Sequence, residues 1–98
     1  MATIDTPLTL STVVQRNSEH VLSSPVGDEL VMMDTNSGNY ISLNKIGRVI
    51  WEQIENPVEI AALITYLTGR FNVDAAVCES DTLEYLQKMQ MQNMLTIL

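Results

Sequence analysis

The sequence predicts one α+β domain, a three-stranded antiparallel sheet followed by three helices, and three observations predict it. Before Asn44 the apolar residues fall in short strand-like runs separated by turn residues. After Asn44 they recur at helical spacing, first as Ile46, Val49, Ile50 and Ile54. Between the two regimes, Ser37 to Trp51 runs from turn to strand to helix with no linker, so this stretch joins a sheet half to a helix half. The chain of 98 residues makes a single domain, residues 1–98, long enough to bury a modest core without disulfides or metal.

Taken in order, residues 1–7 read as a loose tail. Leu8 to Val14 has strand composition with partial alternation and is the first expected strand. Residues 15–28 hold Asn, paired serines, Pro25 and Gly27-Asp28, and read as a loop with a turn near Pro25–Asp28. Glu29 to Asp34 is the second strand. Asp34 to Gly38 is a turn rich in residues that bond their own backbone, suited to a hairpin. Tyr40 to Leu43 is then the returning third strand.

Asn44 is a good N-cap for a first helix over Lys45 to Glu55. Pro57 stops it, because the residue before a proline is pushed out of the α region. Asn56-Pro57-Val58-Glu59 resembles a capping box opening a second helix, with Pro at the first helical position and Glu reaching back. Ile60, Leu63, Ile64 and Leu67 form its apolar stripe, and Gly69 is placed to end it. Phe71 and Val73 pack inward from a short connector. Asp74 caps a third helix over Ala75 to Gln92, whose core face is Cys78, Thr82, Tyr85, Leu86, Met89 and Asn93. Asn93 suits the left-handed conformation that closes a helix, and Met94 to Leu98 folds back on the core. Strands followed by three short helices make the arrangement winged-helix-like.

Composition narrows the function. Five basic residues against twelve acidic ones give a net charge of −7, and the bases are scattered. Nucleic-acid binding rests on Lys and Arg neutralising phosphates, and the third helix carries Glu79, Asp81 and Glu84 against Lys88 alone. A winged-helix role on DNA is therefore disfavoured, whatever the fold. One cysteine, Cys78, and one histidine, His20, exclude a disulfide framework and a Cys/His metal site. Cys78 on a helix core face reads as an inert buried thiol, and His20 in a loop as an ordinary surface residue, so no nucleophile–base pair is expected. There is no phosphate-binding glycine loop, no apolar run of membrane-spanning length and no secretory signal. A soluble cytoplasmic protein without catalytic groups, cofactor or metal is expected.

What remains is a surface for a peptide. A three-stranded meander leaves edges, and an exposed edge is a template for another strand. If Tyr40–Leu43 is an edge, an extended peptide can add to it, with main-chain hydrogen bonds supplying affinity and side-chain pockets specificity. The candidate contacts are Val31, Met33, Tyr40, Ile41, Ser42 and Leu43 on the strands. On helix three they are Leu83 over the groove, Leu86 at its margin, and Glu79, Gln87 and Gln90 nearby.

The spacing Gly38-x-Tyr40-x-x-Leu43-Asn44-x-x-Gly47-x-x-Ile50-Trp51, with Pro57 following, resembles the pyrroloquinoline-quinone synthesis protein D (PqqD) family. Helix three matches it through Asp81, Tyr85, Leu86 and Met89, and the tail through Met94 and Leu95. Asn93 stands where the family has Gly, and Thr82 where it has an aliphatic residue. The resemblance covers roughly residues 30–95. It implies a non-catalytic element that binds the leader segment of a ribosomally made precursor peptide as an extra strand, between the third strand and the third helix. The implied partners are that leader and an enzyme to which it is delivered. The length and the YxxLN form are most similar to standalone proteins of lasso-peptide biosynthesis, where the enzyme is a leader peptidase. The alternative is a PqqD-type chaperone serving a radical-SAM enzyme.

Overall fold

The computed structural model describes residues 7–98; the rest of the tail expected at the N-terminus, residues 1–6, lies outside the described residues. The elements run β1 (Val13–Arg16), β2 (Val21–Val26), β3 (Glu29–Asp34), β4 (Tyr40–Leu43), α1 (Lys45–Gln53), β5 (Val58–Glu59), α2 (Ile60–Arg70), α3 (Ala75–Met91) and β6 (Leu95–Ile97). The fold is α+β, with the expected antiparallel meander and three helices. It contains a second sheet that the sequence does not announce. One sheet has the order β2-β3-β4 and the other β5-β1-β6, each antiparallel throughout.

The meander is built from a different first strand than expected. Leu8 to Ser11 is not strand: the Thr9 amide donates to Thr12 Oγ1 at 2.9 Å and the Thr12 amide to the Thr9 carbonyl at 3.1 Å. Hydroxyl side chains here offer the backbone a local alternative to a ladder. The run 15–28 is not a loop, because Val21–Val26 pairs along its whole length with β3 across the two-residue turn Gly27-Asp28. Gly27 sits at φ +62°, which tight hairpin turns require. Pairing with β3 overrides the weak strand propensity of Ser23, Ser24 and Pro25. β3 and β4 fall where the sequence puts them, joined by a turn in which both Asp34 carboxylate oxygens are engaged, Oδ1 accepting from the Asn36 amide and Oδ2 from Ser37 Oγ.

α1 begins as expected, with Asn44 Oδ1 accepting from the Gly47 amide at 2.9 Å. α2 does not. Val58 and Glu59 are extended and pair with Val14 and Val13, so the expected capping box does not form and Glu59 caps without a side-chain bond. The orphan amides of the first turn are met by backbone instead: Ile60 donates to the Thr12 carbonyl and Ala61 to the Leu10 carbonyl. Gly69 is likewise an ordinary helical residue, and the helix runs on to Arg70 with an extended Phe71 as its C-cap. α3 is capped by Asp74, which accepts from Ala76 and Val77, and is closed by Asn93 at φ 58°. Its tail becomes β6 on β1.

The core lies between the inner face of the meander and the three helices. Met32, Leu43, Ile50, Ile54, Ile60, Leu63, Leu67, Leu86, Met89 and Met94 are fully buried. Each contributes about 1.5–3 kcal/mol relative to exposure. The second sheet is tied to α1 by Arg16, whose guanidinium lies 5.2 Å from the Trp51 ring centroid and donates to the Trp51 carbonyl. No helix among the described residues is long and apolar enough to cross a membrane.

Candidate functional site

β4 is an outer strand of its sheet, with β3 on one side and, among the described residues, no strand on the other. Which of its main-chain groups face outward follows from the register. A two-residue hairpin makes Val26 and Glu29 a hydrogen-bonded pair, and such pairs alternate along antiparallel strands. Glu29, Val31 and Met33 therefore bond toward β2, and Leu30, Met32 and Asp34 toward β4. Two bonds fix the same parity: the Thr35 amide donates to the His20 carbonyl on the β2 side, and the Asp34 amide to the Asn39 carbonyl on the β4 side. Leu43 and Ile41, opposite Leu30 and Met32, use their backbone groups on β3. The N–H and C=O of Tyr40 and Ser42 are left pointing away from the sheet, as a row of paired donors and acceptors.

Side chains alternate with the same period. Leu43 is buried and Ile41 half-buried on the inner face, while Tyr40 and Ser42 are exposed on the outer face. A strand added to β4 would accordingly send the residues opposite Ile41 and Leu43 inward, toward α3. Those opposite Tyr40 and Ser42 would go outward, beside Val31 and Met33.

The wall that α3 offers to this edge is a polar recess lined by Asn44, Asp81, Glu84, Tyr85 and Lys88. Lys88 Nζ is 3.5 Å from Glu84 Oε1 and 5.7 Å from the Tyr85 ring centroid. Gly47 permits this approach. A Cβ there would come within 3.1 Å of both the Leu43 Cβ and the Tyr85 ring. Helix geometry puts Asp81, Tyr85 and Lys88 on one flank of α3 and Glu79, Leu83, Gln87 and Gln90 on the other, with Cys78, Thr82, Leu86 and Met89 between.

The expected contact residues are thus divided by the fold. Tyr40, Ile41 and Ser42 lie at the edge. Val31 and Met33 lie on the outer face of the sheet, not in the cleft, and line a shallow apolar depression of about 190 Å³ with Leu22, Ser23, Ser24 and Tyr40. Leu43 and Leu86 are fully buried core residues, so Leu86 is not at a groove margin. Leu83 is half-buried against the core, and it stands with Gln87, Gln90 and Glu79 on the flank away from the recess. The residues that do line the recess were legible only as pattern: Asn44 as a cap, Asp81 and Tyr85 as matches to the family spacing. Cys78 is enclosed, its Sγ 3.9 Å from Thr82 Oγ1, and His20 is exposed with Glu19 at 3.8 Å. No His, Cys, Asp and Glu cluster among the described residues is arranged to hold a metal ion.

An open strand edge walled by a helix is an arrangement able to take an extended chain. Residues 29–95 match the family described as coenzyme PQQ synthesis protein D (PqqD), and the chain belongs to that family. Two solved structures share the fold. One is TbiB1 in complex with the TbiA(beta) leader peptide, at 22% identity and a TM-score of 0.68, covering 83% of this chain and 93% of that one. The other is lasso peptide synthetase B1 complexed with the leader peptide, at 18% identity and a TM-score of 0.69, covering 85% of this chain and 96% of that one. At these identities the likeness is one of fold. No curated protein sequence matches significantly.

Proposed function

We propose that this protein is a non-catalytic recognition element for the leader segment of a ribosomally made precursor peptide, bound as an added strand on β4. The observation that carries the reading is the outward row of Tyr40 and Ser42 backbone groups beside the α3 recess, in a chain of the PqqD family. Main-chain bonds to Tyr40 and Ser42 supply affinity, and the recess selects the residues that point inward. Ordering a flexible leader costs roughly 2–5 kcal/mol of the gross interaction energy, so binding is moderate. The two structural neighbours, both named as complexes with leader peptides, support the lasso-peptide setting.

The loaded domain delivers its peptide to a leader peptidase in the cytoplasm. The outer face supports delivery, because the residues opposite Tyr40 and Ser42 would extend the apolar depression around Leu22 and Met33. An enzyme docking there would then touch domain and peptide together. The runner-up, a radical-SAM partner, uses the same edge and differs only in the enzyme engaged.

The test is titration of a synthetic lasso-precursor leader peptide into isotope-labelled protein, followed by backbone amide shifts. Shifts should cluster on Tyr40–Leu43 and on Asp81, Tyr85 and Lys88. N-methylation of the leader residues that bond Tyr40 and Ser42 should abolish binding, and N-methylation of their neighbours should not. Absence of shifts on β4 at saturating leader would overturn the strand-addition reading.

A further inference from the structure

The meander has a second outer strand, β2, and by ordinary criteria it is the better template. It is paired over six residues where β4 has four, and it is exposed from Leu22 to Val26. The alternation that turns Tyr40 and Ser42 outward on β4 turns Val21, Ser23 and Pro25 outward on β2. Two of those three positions have no donor to offer. The Val21 amide already donates to the Ser18 carbonyl at 3.3 Å, and Pro25 has no amide hydrogen. Only the Ser23 N–H remains. The proline ring also fills the space beside the edge that an incoming strand would occupy.

We propose that Pro25, with the Ser18–Val21 bond, closes the β2 edge, so that the domain takes one extended chain and stays monomeric. The proline sits at a position where the β2–β3 ladder does not need its N–H, which is why closing the outer edge leaves the hairpin intact. The consequence for the site is a fixed stoichiometry, one peptide per domain, entering from β4 alone. This part rests on the leader-binding reading; the closure of β2 does not.

The experiment replaces Pro25 by Val, which restores a donor and suits a strand. Two copies of the variant can then pair through β2 about a two-fold axis, and each new bond forms twice. The dimer dissociation constant should fall about tenfold or more relative to wild type, read by sedimentation across a concentration series. In the leader titration, amide shifts should appear on β2 in the variant and be confined to β4 and α3 in wild type. Closure is overturned if folded Pro25→Val sediments as wild type does. It is equally overturned if wild type itself pairs, or takes a second peptide, through β2, a result that needs no variant to fold. A wild type that binds no leader while Pro25→Val still dimerises would sink the leader-binding reading and leave the closed edge standing.

Discussion

The two edges of the meander make an instructive pair. β2 is longer, more exposed and richer in exposed apolar side chains, with Leu22 at 61% and Val26 at 58% of full exposure. β4 is short and ends directly in α1. Strand length and exposure would send a peptide to β2. The main-chain donors favour β4, because Tyr40 and Ser42 both present an N–H while β2 presents one at Ser23 alone. The environments differ too, since β4 has the polar α3 recess beside it, whereas Leu22, Ser23 and Ser24 of β2 line only the shallow apolar depression on the outer face of the sheet. An edge is therefore defined less by how much strand is bare than by which alternate residues carry a free amide. One proline at the right parity changes that count, whereas one position along it would have broken the hairpin.

The sharpest way to break the comparison is to move the proline. Ser42→Pro puts the same closure on β4, at a position whose N–H is not used by β3. Leader affinity should drop about a hundredfold, because a main-chain bond is lost and the ring keeps neighbouring bonds from forming. The thermal midpoint should stay close to wild type, and a folded variant that still binds would remove β4 as the site. Tyr85→Ala tests the wall without touching the edge. It removes the ring that Gly47 accommodates, and calorimetric titration should show about a tenfold loss.

A smaller effect separates two duties of Asn44. Its Oδ1 is committed to the Gly47 amide, and the residue also lines the recess. Asn44→Asp keeps the cap but replaces the donor, so α1 should hold while leader affinity falls about three- to tenfold. The smallest effect on binding is expected at Leu83→Glu, on the far flank of α3. Affinity should be unchanged, while chemical denaturation should register a stability loss of about 1–3 kcal/mol from placing a charge against the core. Loss of binding in a folded Leu83→Glu protein would return the groove to that flank.

Much of the fold could be read from residue pattern alone. β3, β4 and the starts of α1 and α3 carry their own local signals, namely alternation, the Asx-rich turn, and the Asn44 and Asp74 caps. β2, β5 and β6 do not. Their residues become strands because partners distant or adjacent in the chain meet them, as Val58 meets Val14 and Leu95 meets Arg16. Propensity is weak there and pairing decides. The capping box at Asn56 failed for the same reason, since the Leu10 and Thr12 carbonyls were already in place to serve the α2 amides.

The candidate site was half legible. Tyr40 and Ser42 follow from an edge strand and its parity. The α3 wall does not follow, because helical spacing identifies the buried stripe but not which flank of it turns toward the sheet. Leu83 is apolar and off the stripe, which singles it out in the sequence, whereas the fold turns Tyr85 toward β4. The Gly47–Tyr85 approach is a non-local contact that spacing on either helix alone cannot express.

One guanidinium has a consequence for how the molecule opens. Arg48, on α1, donates to the Gly27 carbonyl at the tip of the β2–β3 hairpin at 3.2 Å and also lies 3.8 Å from Glu52. A hairpin with one bare strand would ordinarily fray from its tip on its own, as a separate low-energy opening. Fastened there, the tip cannot lift without α1 giving up its hold, and α1 is the helix into which β4 runs. In amide hydrogen exchange, β2 and β3 should therefore lose protection together with α1, as a single cooperative unit whose opening clock is shared by β4, the strand proposed to receive the peptide.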